Sequence, residues 1–226
     1  MTTKNLIARL SERILNTKTS HPLRIAIDGV STSGKTTLAD ALAIFLRACP
    51  ASAVAQKKPV IRASIDGFHN PKEIRYKRGQ NSPEGYYKDS FDNKAIVENL
   101  LAPLGPNGNL RYKKAIFNFR TDSKVDSLTL TAKKDSILIM DGIFLMRPEL
   151  VGHFDLKILL LVNEKTVLSR AINRDSFLGP KEEILKKYAL RYTLGEKLYF
   201  EDAKPTEKAD IVIDNNDFEN PEIVKI

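Results

Sequence analysis

Residues Leu23 to Leu38 read LRIAIDGVSTSGKTTL. An apolar run, Leu23 with Ile25, Ala26 and Ile27, stops at Asp28. Gly29-Val30-Ser31-Thr32-Ser33-Gly34 then forms a glycine-bounded loop, and Lys35-Thr36-Thr37 open a helical pattern. The spacing is G-x-x-x-x-G-K-T between a strand and a helix, the setting a phosphate-binding loop requires. Gly29 and Gly34 let the backbone curl so that successive N–H groups face one anion, and the helix adds its positive end. Gly29, Ser31, Thr32, Ser33, Gly34, Lys35, Thr36 and Thr37 are therefore the predicted nucleotide-binding residues. Lys35 is expected to reach the β- and γ-phosphates, and the Thr36 hydroxyl to ligate Mg²⁺.

The 226 residues suit one domain, or one domain with a substantial insertion, and 42% hydrophobic residues suffice for a buried core. Mean hydropathy of −0.28 is ordinary for a soluble protein. The net charge of +8, from 36 basic and 28 acidic side chains, raises the question of nucleic acid. No arginine-rich tail or RNA-binding aromatic signature accompanies it, so no nucleic-acid partner is expected. A polyphosphate site, a basic lid and a solvated basic surface account for the excess. The single Cys49 excludes an internal disulfide and fits a reducing compartment, hence a cytoplasmic protein. Following the helical run Leu42 to Ala48, it reads as a buried structural thiol. No apolar run approaches the length of a membrane span, so no membrane partner is expected. Met1 to Asn16 lacks an apolar signal core, and its Leu6, Leu10 and Ile14 at helical spacing read as a packing helix, not a targeting peptide.

Outward from the loop, Lys35 to Ala48 reads as an amphipathic helix closed by Pro50, and the stretch to Lys58 as a surface connection. Pro59 to Ile65 reads as a second strand ending in Asp66-Gly67-Phe68-His69. Asn70 to Asp92 is polar and aromatic, and reads as a long functional loop. Asp92 caps a helix from Lys94 to Leu101 that stops at Pro103. Arg111 to Phe119 and Val125 to Thr131 alternate as two strands of an antiparallel excursion. Ser136 to Met140, ending at Asp141, and Leu156 to Val162 read as strands buried on both faces. Asn163 caps a helix ending in Arg170-Ala-Ile-Asn-Arg174-Asp175, with Val162 and Val167 as its hydrophobic staple. Lys181 to Arg191 is a further helix, Asp210 to Asp214 a last short strand, and the remainder a polar tail. The pattern predicts an α/β fold, a P-loop NTPase with a doubly wound parallel sheet of about five strands, a β-hairpin excursion and a helical lid. All 226 residues form a single domain in this reading, with the hairpin insertion at 107–132 and the lid region at 170–200.

In such sheets ligands lie beyond the carboxyl ends of the strands, where Asp28, Asp66 and Asp141 all sit. Asp141 closes ILIMD, a hydrophobic strand plus acid of Walker B type. Its carboxylate is expected to hold Mg²⁺ beside Thr36, or else to cap a turn before Gly142. Asp66 is placed to orient and deprotonate an acceptor hydroxyl, or to make a plain Asp-Gly turn. His69 reads as structural or as an assisting group. Arg170 and Arg174, four apart on one helix face, could fold over a transferring phosphoryl group, or pair with Asp175, Glu182 or Glu183.

The loop, the strand ending DGFH, the R-Y-x-R-G-x-x-S-P-E-G-Y-Y segment (Arg75 to Tyr87), the DGIFL element, the R-x-x-x-R-D lid and the late stretch Arg191 to Asn215 resemble the uridine kinase and phosphoribulokinase family. The resemblance runs from about Leu23 to Asn215. It implies an ATP-dependent kinase that uses Mg²⁺ with ATP as phosphate donor and takes a small-molecule hydroxyl acceptor. It also implies a P-loop core with a β-hairpin excursion. Lys35 and Thr36 match the loop lysine and magnesium hydroxyl, Asp66 the catalytic aspartate, and Arg170 and Arg174 the lid arginines. Asp141 stands where uridine kinases commonly carry glutamate. The implied acceptor contacts are Asp66, His69, Tyr86, Tyr87, Phe119 and Asp122. The hairpin departs from the family at its tip, where Phe117-Asn118-Phe119-Arg120-Thr121-Asp122 replaces a Tyr-Asp-Phe…His segment. Asp122 takes the place of the histidine and Asn118 that of the aspartate.

The leading expectation is transfer of the ATP γ-phosphate to uridine or cytidine, giving UMP or CMP. The altered hairpin motivates the same chemistry on pantothenate, a sugar or another ribosylated metabolite. The basic charge and long polar segment motivate a third reading, a nucleotide-dependent regulatory protein. Whether the chain forms a homo-oligomer is left open.

Overall fold

The computed structural model describes residues 1–48 and 58–226. The expectations for Cys49, for Pro50 and for the connection leading to Lys58 concern residues 49–57, outside the described residues. Helix α1 spans Thr3–Asn16 and buries Leu6, Leu10 and Ile14, as its spacing predicts. Strand β1, Leu23–Gly29, is buried along its whole length and runs through the phosphate loop into helix α2, Lys35–Ala48. Strand β2 spans Val60–Ser64, and β3 spans Ile137–Asp141. Strand β4 is Leu156–Leu161, β5 is Ile211–Asp214 and β6 is Glu222–Lys225.

Among the described residues these six strands form one sheet in the order β6-β5-β4-β1-β3-β2. All neighbours are parallel except β6, which runs antiparallel to β5. The parallel core confirms the doubly wound architecture. The sixth strand corrects the polar tail expected after Asp214. Its signal is faint because it is four residues long, lies at an edge, and only Ile223 is even partly buried.

Register decides where the chemistry lies. Ile27 pairs with Asp141, and Ser64 pairs with Asp141 from the other side. The carboxyl ends of β1, β3 and β2 are therefore level, and the segments leaving them share one edge of the sheet. Alternation then sorts the two faces. Ile25, Ile27, Ile139 and Ile158 pack under α1 and α2. Ala26, Leu138, Met140 and Leu159 pack on the other face with Phe68, Ile96, Leu100, Phe144 and Tyr199.

The span expected as one long loop, 70–92, is partly helical. A single turn, Lys72–Arg75, follows Pro71, and helix α3 spans Pro83–Asp89. Helix α3 starts where Pro83 supplies a first residue with no N–H to satisfy, and where Ser82 Oγ accepts from Gly85 N–H at 3.0 Å. The Asp92 cap is as read: its carboxylate accepts from Ala95 N–H, and the helix continues to Leu101 with a wider last turn.

The hairpin is present but broken into two short ladders. Arg111–Tyr112 pairs with Leu130–Thr131, and Phe117–Asn118 with Ser123–Lys124. Between them the backbone turns to the body of the protein, Lys113 N–H donating to Asn99 and Ile116 N–H to Gly67.

Helix α4, Glu164–Arg174, begins at Asn163, whose side chain accepts from Thr166 N–H. Helix α5, Lys181–Lys187, runs through a wider turn at Tyr188–Tyr192 into helix α6, Thr193–Ala203, so the helical run continues past the helix end expected at Arg191. Val167, Ala171, Ile184 and Tyr188 form a small core of their own under this region.

Candidate active site

The loop after β1 needs both of its glycines. Gly29 and Gly34 sit at φ of 149° and 92°, and a Cβ would lie 2.5 Å from the Leu160 carbonyl at the first and 2.7 Å from Asn215 Nδ2 at the second. Contacts from distant parts of the chain then fix the curl. Asn215 Nδ2 donates to Ser33 O at 2.7 Å, and Thr32 Oγ1 donates to Val167 O at 3.1 Å. Ser31 Oγ lies 3.1 Å from the Tyr86 hydroxyl, and Ser31 N–H donates to Glu196 Oε1 at 2.6 Å. Lys35 folds back over the loop, its Nζ 2.6 Å from Val30 O and 3.4 Å from Ser33 Oγ. Burial lowers the Lys35 ammonium below its ordinary value, and Glu196, Asp28 and Asp141 oppose that shift. Thr36 and Thr37 face outward in the first turn of α2.

Level register brings the next pair together. The Thr36 hydroxyl donates to Asp141 Oδ2 at 2.5 Å. Asp141 is buried, so it is not merely a solvent-facing turn residue, and Arg62 Nη1 lies 2.8 Å from its Oδ1. Arg62 in turn pairs with Asp40 at 2.8 Å. One hydroxyl and one carboxylate are the hard oxygen donors Mg²⁺ takes when phosphate and water complete its shell. Among the described residues no cluster of three or more His, Cys, Asp or Glu could hold a metal alone. The donor set thus fits an ion that arrives with a phosphate.

Asp28 ends β1 in full burial. Its carboxylate accepts from Gly29 N–H, Met146 N–H and the Tyr199 hydroxyl. Burial outweighs these bonds and pushes its pKa up to about 6.

Asp66 lies in the single turn Ile65–Phe68 directly after β2, with its side chain 59% exposed at the same sheet edge. Ser64 Oγ accepts from Asp66 N–H and starts that turn. His69 Nδ1 lies 3.1 Å from the Asp66 carbonyl and 4.0 Å from its carboxylate. The imidazole stacks on Phe119 at 4.8 Å and tilts against Phe91 at 4.4 Å, and burial lowers its pKa. Gly67 lets the hairpin come this close, since a Cβ there would sit 2.7 Å from Ala115 Cβ. The hairpin tip is latched as well. Asp122 accepts from Lys72 N–H at 3.0 Å and from Arg75 Nη2 at 2.9 Å.

Other expected contacts are placed differently. Tyr86 and Tyr87 are buried, both rings packing edge-on against Phe144. Tyr87 gives its hydroxyl to Asp202 and edges a cavity of about 740 Å³ shared with Arg147 and Glu149. These two aromatics pack in the core, and of the two the Tyr86 hydroxyl reaches the loop. Arg170 touches the phosphate loop, its Nη1 3.4 Å from Thr32 O, and is anchored behind it. It donates to the carbonyls of Asn215 and Asn216 at 2.9 Å and stacks 3.5 Å from the Phe218 ring centroid. Arg174 forms a forked pair with its neighbour Asp175, at 2.7 and 2.9 Å, which is the alternative pairing its sequence allows.

Arg62, Glu196, Asn215 and Tyr199 were not singled out by sequence. Each acts across a long separation; Glu196, Tyr199 and Asn215 lie in the late stretch Arg191 to Asn215 that carries the resemblance, but no role was read for them. Arg62 carried a different hint, as a charged residue inside an otherwise apolar strand.

Comparison with known proteins places this geometry. The family model described as phosphoribulokinase / uridine kinase matches residues 24–187. The chain is similar to uridine-cytidine kinase B of Dictyostelium discoideum, 26% identical over 195 residues that cover 85% of this chain and 74% of that protein. It is also similar to a structure from Bacillus stearothermophilus described as a possible uridine kinase, with TM-score 0.71 and 25% identity over 92% of this chain and 97% of the other. A D-glycerate 3-kinase of Cryptococcus neoformans shares the fold alone, with TM-score 0.58 and 11% identity over 98% of this chain and 96% of that one.

Proposed function

Because the chain belongs to the phosphoribulokinase / uridine kinase family, whose members are ATP-dependent kinases acting on alcohols, we propose that it phosphorylates a nucleoside, uridine or cytidine, to UMP or CMP. The observation that carries the reading is the position of Asp66 at the sheet edge that also holds the Thr36–Asp141 pair, beside the aromatic stack of His69 and Phe119. That stack offers a flat face for a base, and Asp66 a carboxylate for the hydroxyl it carries.

In this mechanism the loop amides and Lys35 hold the triphosphate, and Thr36 and Asp141 hold its Mg²⁺. When bound there, the ion would neutralise charge on the phosphate chain. Asp66, exposed and one turn from β2, accepts the proton of the attacking hydroxyl. His69, kept toward its neutral form by burial, positions the acceptor instead of adding charge. Arg174, its guanidinium half-exposed and aligned by Asp175, is the lid cation able to meet the migrating phosphoryl group. Arg170 holds the segment after β5 in place.

One observation favours a second acceptor class. The Asp122–Arg75 latch puts a carboxylate and a guanidinium at the hairpin tip, where uridine kinases carry a histidine. Such a pair suits the hydroxyls or carboxylate of pantothenate, a sugar or another ribosylated metabolite. A panel of these alcohols with uridine and cytidine, scored by ADP release, tests the assignment. Robust turnover of uridine and cytidine is expected. Turnover confined to another acceptor replaces the nucleoside reading, and ADP release that no alcohol stimulates points to the regulatory protein.

A further inference from the structure

Glu196 precedes Tyr199 by three residues on α6, so the two side chains leave the helix on one face. Tyr199 donates its hydroxyl to Asp28 at the end of β1. One turn earlier, Glu196 Oε1 accepts from Ser31 N–H inside the phosphate loop at 2.6 Å. Glu196 is only 5% exposed. A buried carboxylate therefore sits on an amide of a loop whose amides serve an anion. Burial pushes its pKa up, while the Ser31 N–H, Lys35 and Arg174 pull it back toward the charged form. Conversely, Glu196 is the strongest of the carboxylates that keep Lys35 protonated. Neither the proton transfer from the acceptor nor the Mg²⁺ site uses this carboxylate. Its negative charge lies where that of a phosphate chain must come.

We propose that Glu196 is an internal competitor for the phosphate loop and thereby sets nucleotide affinity. In the nucleotide-free enzyme its carboxylate holds the Ser31 amide and favours the charged Lys35 from beyond ion-pair distance. A phosphate chain binds by taking over the Ser31 amide, with Glu196 rotating away or becoming protonated. The same repulsion speeds departure of the product nucleotide. This rests on the reading of the loop as a nucleoside triphosphate site.

Calorimetric titration of MgATP into the wild-type chain and Glu196→Gln tests it. The glutamine keeps an oxygen for the Ser31 amide and removes only the charge. Glu196→Gln is expected to bind MgATP about tenfold more tightly than wild type, roughly what one lost repulsion of 1.4 kcal/mol gives. A role in bracing the loop predicts the reverse, so equal or weaker binding by Glu196→Gln overturns the proposal. Hydrogen exchange on the wild-type chain tests it without a variant. On adding MgATP, amides of the loop from Ser31 to Thr37 are expected to slow, and those around Glu196 to exchange faster. Unchanged or slower exchange around Glu196 overturns the competitor role. A wild-type chain that binds no MgATP overturns the nucleotide reading and this inference together.

Discussion

The Thr36 hydroxyl and the Asp141 carboxylate meet at 2.5 Å although 105 positions separate them in the chain. Parallel pairing of β1 with β3 brings them together, by setting Ile27 opposite Asp141. Neither oxygen has a long side chain with which to search, so the pair is preorganised for a small hard cation. Asp141→Asn is expected to weaken the apparent affinity for Mg²⁺ by about 10- to 100-fold, the loss typical of disturbed metal coordination. Mg²⁺ titration of ATP turnover reads it. Melting should fall as well, since Arg62 loses its buried counter-charge although the amide still accepts from Thr36.

Asp66 is the residue on which transfer to an alcohol depends in the proposed mechanism. Asp66→Asn is expected to cut kcat by about 10² or more while leaving MgATP affinity close to wild type. Undiminished turnover would remove Asp66 as the base. Its exposure favours a clean test, because among the described residues the long 4.0 Å approach to His69 is the one ion pair the substitution weakens.

Asp28 makes stability depend on pH. Its folded pKa of about 6 lies above the ordinary carboxylate value of 3.8, so the folded state binds the proton more tightly than the unfolded chain. Its contribution is fully present below 3.8 and is lost as pH rises to about 6. The full swing is about 3 kcal/mol, two pKa units at 1.36 kcal/mol each. Glu196, raised by burial, adds in the same direction. Denaturant unfolding of wild type and Asp28→Asn across this window should show the variant's stability varying less with pH.

Arg170 supports the segment after β5 through two carbonyls and the Phe218 ring. Arg170→Ala is expected to cost about 2 kcal/mol, because two half-buried carbonyls lose a charged donor. Phe218→Ala should share part of that loss, so the double variant falls short of the sum of the single ones. Chemical denaturation of the four proteins closes the cycle. Additive losses would return Arg170 to the role of a free lid cation.

The latch at the hairpin tip gives a kinetic prediction. Asp122→Ala frees Arg75 and the Lys72 amide together. It should change KM for the acceptor several-fold and leave KM for ATP unchanged, because none of these contacts touches the phosphate loop. Steady-state kinetics with each substrate varied in turn separates the two.

Local signals account for what the sequence made legible. The phosphate loop declares itself because its chemistry needs glycines at fixed spacing, and β3 because five buried residues run together before an acid. Asn163 and Asp92 mark helix starts because a cap acts within three residues. What stayed hidden depends on contacts made at a distance. Tyr86 and Tyr87 resemble ligand contacts in a polar stretch, yet the aromatic cluster around Phe144 claims them for the core. Arg170 and Arg174 share a helix face, but Phe218 and Asp175 decide where each guanidinium points. The hairpin's alternation is real, and its strands still break where Lys113 and Ile116 find better partners in the body.

The bonds that brace the phosphate loop also impose an order on its maturation. The loop leaves the ribosome early, but Ser33 and Asp28 find their partners 182 and 171 positions later, at Asn215 and Tyr199. A nascent chain thus displays the glycines and the lysine long before anything holds them in a cradle. Competence to grip a nucleotide is a late event in synthesis, and a chain truncated within the lid carries the whole motif without the site.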